Sequence, residues 1–104
     1  MGYDLHITRA EAWYDSEHAP IPQEEWERFA RERPELTVDG WAYSRSEVGC
    51  RPIFACTVGD VVVSLLWNAG EVVVSGATTE AATGLRWVAE GMGARLVGDD
   101  GEAY

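Results

Sequence analysis

Ile53–Ser75 reads IFACTVGDVVVSLLWNAGEVVVS, and its punctuation decides the fold. Two glycine-bearing breaks divide three apolar runs rich in β-branched residues, the pattern of strands joined by tight turns. Gly59-Asp60 suits a two-residue hairpin turn with positive φ at the glycine, and Asn68-Ala69-Gly70 a three-residue loop with glycine in the left-handed position. The segment reads as an antiparallel meander at the centre of a sheet. Residues 61–67 are apolar on both faces apart from Ser64. That suits a central strand covered on both sides, or covered by helices on one side and long side chains on the other.

Downstream, TTEAATGLRWVAEGMG reads as one helix over 79–92. Thr78 or Thr79 can cap it and Glu80 complements its dipole. Ala81, Leu85, Val88, Ala89 and Met92 fall on one face at helical spacing, and Gly93 ends the helix. ARLV follows as a strand, so strand 71–75, helix and strand 94–97 form one crossover with those two strands parallel.

Upstream, Tyr3, Leu5 and Ile7 alternate with Asp4, His6 and Thr8, a strand signal. It predicts that the polar three line the wet face of the sheet. Residues 9–21 show no sustained period and read as a loop rich in Trp, Tyr, His and acids. PIPQEEWERFARERP then reads as a helix, with Pro22 in its first turn and Pro34 as its stop. Trp26, Phe29 and Ala30 make its apolar stripe, and Glu24–Arg28 and Glu27–Arg31 are i, i+4 pairs. ELTV reads as a short strand, Asp39-Gly40 as a turn and SRSEVGCRP as a loop. The expectation is a single α+β domain over 1–104, with a mixed, mainly antiparallel sheet of about five strands and two helices packed on one face.

Composition bounds the function. All eight basic residues are Arg, and eighteen acids leave a net charge of −10. Such a surface disfavours nucleic-acid backbones, which are bound through clustered basic side chains, and anionic membranes. It favours a basic protein partner and speeds its arrival. No apolar run approaches the roughly 18 residues that cross a bilayer, and no signal peptide is recognisable, so the expected location is cytoplasmic. Cys50 and Cys56 are too few for a disulfide scaffold; they read as a loop thiol and a buried small hydrophobe.

Candidate chemistry is sparse. Asp4-x-His6 places a carboxylate beside an imidazole, which can orient it or raise its pKa, but an idle surface pair has the same spacing. His18 lies near Asp15 and Glu17, and with His6 it has the residue types of a divalent-metal site without a known metal spacing. GDDGE has the composition of a calcium loop but lacks the remaining EF-hand positions. The glycines of GMGAR close a helix, whereas a phosphate loop opens one. GxSxG, HExxH and paired CxxC motifs are absent. No catalytic residue, metal ligand or cofactor is assigned.

The chain resembles a group of short bacterial proteins that open with MGYDLHITRA and a Trp soon after, here Trp13. They continue with a P-I-x-x-E-E-W helix, here Pro20 to Trp26, and an RPEL-like stretch with a DG, here Arg33 to Leu36 and Asp39-Gly40. They close with ARLxGDDGE-Y, here Ala94 to Tyr104. The resemblance implies a stand-alone folded domain and brings no activity, cofactor or catalytic residue with it. Small acidic bacterial proteins of this kind sometimes serve as immunity proteins.

Three functions compete. The first is a binding protein for a basic partner, an inhibitor or immunity factor, using Asp4, His6, Trp13, Tyr14, Asp15, Glu17, His18, Asp99, Asp100 and Glu102 as one patch. Aromatics interleaved with carboxylates fit an interface hot spot. The second is a small enzyme or metal-dependent hydrolase centred on Asp4, His6 and His18. The third is a homodimer paired through an edge strand or a Trp-rich surface.

Overall fold

The computed structural model describes residues 4–43 and 50–104. The expectations placed on Tyr3 and on residues 44–49 of the loop lie outside them. The chain forms β1 (Leu5–Thr8), a 3-10 helix (Trp13–His18), α1 (Gln23–Arg31), β2 (Thr37–Tyr43), β3 (Cys50–Val58), β4 (Val61–Asn68), β5 (Glu71–Ser75), α2 (Thr79–Thr83), α3 (Arg86–Gly91) and β6 (Arg95–Gly98). This is the expected α+β class. The six-stranded sheet runs β2-β3-β4-β5-β1-β6.

The meander is the middle of that sheet, with β3, β4 and β5 paired antiparallel in sequence order. Gly59 takes the positive φ its turn demands, 61°. The second turn is tighter than expected. Asn68 pairs with Glu71, so only Ala69 and Gly70 connect the strands, and both have positive φ, 50° and 88°. Alanine in that conformation is uncommon. The Gly70 position admits no side chain, because a Cβ there would sit 2.7 Å from the Ser16 carbonyl oxygen.

The mixed sheet of five strands is corrected in two ways. Every described ladder is antiparallel. β5 and β6 do run parallel across the α2–α3 crossover, but β1 inserts between them and hydrogen-bonds antiparallel to both. The sixth strand is β2. Asp39-Gly40 is not a turn but a bulge inside it, where the register with β3 shifts between Val38 and Trp41 and Gly40 has φ 141°. Cys50 to Pro52, read as loop, begin β3.

The α-helices cover one face. Leu5, Ile7, Phe54, Cys56, Val63, Leu65, Val72, Val74 and Leu96 share a buried core with Trp26, Phe29 and Ala30 of α1 and with Ala82, Leu85, Val88, Ala89 and Met92. Cys56 is a buried free thiol, and burial pushes its pKa up. The helix expected over 79–92 breaks in two at Gly84-Leu85. Leu85 has φ −103° and ψ −2°, and a Cβ on Gly84 would meet Val58 Cγ1 at 2.5 Å, so the break lets the chain approach β3 closely. Of the two capping candidates it is Thr78 that accepts from the Ala81 N–H, at 3.1 Å. Arg9 ties the layers together: its guanidinium donates to the Met92 carbonyl at the end of α3 and pairs with Glu25 of α1. That pairing holds the Glu25 carboxyl below its ordinary range.

The other face is half covered. The 3-10 helix lies over the β1 end, where Thr8 and Ser16 exchange a 2.7 Å hydrogen bond. Toward β4 and β2 the face is open, and Val62 is 62% exposed. β4, apolar apart from Ser64 and Asn68, is therefore buried on one side and partly solvated on the other. At the β6 margin the tail folds back, with Val97 bridging Ala103 and Tyr104 N–H donating to Leu96 O. Among the described residues no helix is long and apolar enough to cross a membrane.

Candidate functional site

Asp4, His6 and Thr8 do not form a wet face. His6 is 5% exposed and Thr8 is fully buried, because the segment leaving β1 turns back over them. Alternation correctly puts Leu5 and Ile7 on the helix side. It says nothing of a second cover that comes from the loop.

His6 sits on the central rows of β1, opposite Val73 of β5 and Val97 of β6. From there its ring reaches a carboxylate on each side. Nδ1 donates to Glu71 Oε1 at 2.5 Å, and Nε2 donates to Asp99 Oδ1 at 2.7 Å. Two carboxylate acceptors require two ring donors, which only the imidazolium supplies. Burial works against that charge, but the hydrogen bonds to Glu71 and Asp99 outweigh it and hold the His6 pKa above its ordinary 6.5. The same bond to His6, helped by the Asp4 N–H on Oδ2 at 3.1 Å, holds the Asp99 carboxyl below its ordinary range. Glu71 is 7% exposed, whereas the Asp99 side chain is 38% exposed. The inner half of the arrangement is thus dry and the outer half wet.

Trp13 closes the top. Its ring stacks on the His6 ring, centroids 4.0 Å apart and planes within 7°. A cation against an indole face is attracted by the ring quadrupole. The indole N–H donates to the Asp99 carbonyl at 3.0 Å, so one side chain ties the 3-10 helix to β1 and to the tail. Tyr14 meets Trp13 edge-on at 5.7 Å and is 73% exposed.

Of the expected patch, the structure brings Asp4, His6, Trp13 and Asp99 into one network, Asp4 through its backbone. Tyr14 stands on the outer side of the 3-10 helix. Asp15, Glu17 and His18 are exposed on the 3-10 helix, and Asp100 and Glu102 on the tail. Among the described residues no group of three His, Cys, Asp or Glu side chains is disposed to hold a metal ion, so His6 and His18 do not combine as metal ligands there.

Glu71 was missed. Its one signal is a lone carboxylate opening the apolar strand EVVVS, a residue that is costly to bury without a partner. What it pairs with is 65 positions away and depends on β1 lying beside β5.

Chemically the network is a pin. With both ring nitrogens bonded to carboxylates, neither is free to accept a further proton, and the opposed charges fix three segments against one another. Comparison of the chain with protein-family models, with curated proteins and with solved structures finds no match.

Proposed function

We propose that the chain is a small acidic binding protein of the cytoplasm that neutralises a basic partner protein, in the manner of an inhibitor or immunity protein. The observation that carries this reading is Tyr14. It is 73% exposed on a segment anchored through Trp13 to His6 and Asp99, and exposed carboxylates at Asp15 and Glu17 follow it on the same helix. An exposed aromatic beside carboxylates suits a partner of opposite sign: the ring supplies contact area, and the carboxylates steer the approach. The enzyme reading centred on Asp4, His6 and His18 needs a free ring nitrogen on His6 and gains no support from a ring engaged at both.

The test is capture, with the purified chain, of the products of neighbouring genes, followed by binding kinetics. Asp15→Arg with Glu17→Arg should slow association severalfold at low salt and less at high salt. Tyr14→Ala should speed dissociation. A captured partner whose kinetics ignore all three substitutions would sink the reading, as would capture of none.

A further inference from the structure

Away from the 3-10 helix, the face of the sheet opposite α1, α2 and α3 carries an open groove of about 470 Å³. Ala55, Thr57 and Val62 of β3 and β4 line it together with Thr37 and Asp39 of β2 and Glu35 of the turn before β2. Its chemistry is amphipathic and of one sign. Val62 presents apolar surface to solvent. Glu35 and Asp39 are exposed, and neither makes a hydrogen bond or ion pair among the described residues. The arginines that precede them in sequence are engaged elsewhere: Arg31 is 3.6 Å from Glu27, and the Arg33 guanidinium lies 4.4 Å from the centre of the Phe29 ring.

We propose that this groove receives an arginine side chain of the basic partner protein, its aliphatic stem on Val62 and Ala55 and its guanidinium at Glu35 and Asp39. Arginine combines a long apolar stem with a charged head, so it covers apolar surface while keeping its charge at carboxylates. Charge complementarity selects the occupant. A second copy of this chain also carries −10 and is repelled, whereas a basic surface is drawn in. The inference rests on the proposed partner being basic. It adds a second point of attachment, at the β2 end of the sheet face whose β1 end carries the 3-10 helix.

The experiment is a titration of the isotope-labelled full chain with N-acetyl-arginine amide, followed by amide chemical shifts. The expected result is saturable shifts at Thr37, Asp39, Ala55, Thr57 and Val62. The neutral citrulline analogue, of nearly the same shape, should give none. Glu35→Gln with Asp39→Asn should weaken binding at least about threefold, as loss of two exposed ion pairs does. Val62→Arg, at an exposed position, should abolish the shifts with an unchanged circular dichroism spectrum. Shifts that never saturate, that gather at Tyr14 and Asp15, or that survive the carboxylate substitutions overturn the groove. So does spermidine binding there as tightly as the arginine amide, or a sedimenting dimer that Val62→Arg dissociates. Loss of the groove leaves Tyr14 and Asp15 standing as partner contacts, which the kinetic experiment tests separately.

Discussion

Replacing His6 of β1 by phenylalanine should destabilise the fold by unpairing Glu71. The substitution keeps a flat ring beneath Trp13 and so preserves the stack seen at 4.0 Å. It removes both ring donors. Glu71 then remains buried at 7% exposure with its 2.5 Å partner gone, while Asp99, 38% exposed, recovers water. Removing one partner of a buried ion pair costs about 3–5 kcal/mol; the wet half of this one adds little, so the lower end, about 3 kcal/mol, is expected. With a urea slope of about 1.5 kcal/mol per M for a domain of this size, the midpoint at pH 6 should fall by about 2 M. The pH dependence follows from the two shifts. His6 has a folded pKa above its ordinary 6.5, so its contribution is complete below that value and is lost as pH rises through the folded value. Asp99 has a folded pKa below its ordinary 3.8, so its contribution is present above 3.8 and is lost as pH falls through the folded value. Between those limits the gap between wild type and His6→Phe should be widest, and it should narrow toward alkaline pH. Equal midpoints at pH 6 with equal slopes, or a gap that widens as pH rises, would refute an imidazolium held by two carboxylates.

Leu85→Ala should destabilise by about 2–5 kcal/mol, since Leu85 is fully buried beneath the α2–α3 break; an unchanged melting temperature would mean that this layer is not packed. Gly70→Ala forces a left-handed alanine and drives a Cβ toward the Ser16 carbonyl, so a loss of at least about 1–3 kcal/mol is expected, with a changed near-ultraviolet signal from Trp13. A chain with −10 net charge and no Lys should show no salt-sensitive retention on DNA or RNA at micromolar affinity, and such retention in a binding assay would count against an acidic binding face.

Local patterning was enough for the meander, for α1 and for the inward residues of α2 and α3. Their signals lie within a few positions: glycine at turns, apolar residues at period two or near four, a threonine before a helix. The Trp26, Phe29 and Ala30 stripe is buried for that reason. The same signals blur where backbone meets backbone. Gly84 breaks a helix because Val58 comes close, and Asp39-Gly40 makes a bulge because β3 continues past it.

The candidate site was legible only in part. Trp13, His6 and Asp99 stand out as residue types, but what they do depends on distances along the chain that no local pattern spans. His6 meets Glu71 across 65 positions and Asp99 across 93. Both contacts exist because β1 inserts between β5 and β6, and strand order is set by which neighbours best bury a face, not by any one strand's composition. Alternation determined that Leu5 and Ile7 point one way and His6 and Thr8 the other. Only the tertiary structure decided that the second side is also buried, because the 3-10 helix folds back over it and two carboxylates supply the charge that makes a buried histidine stable.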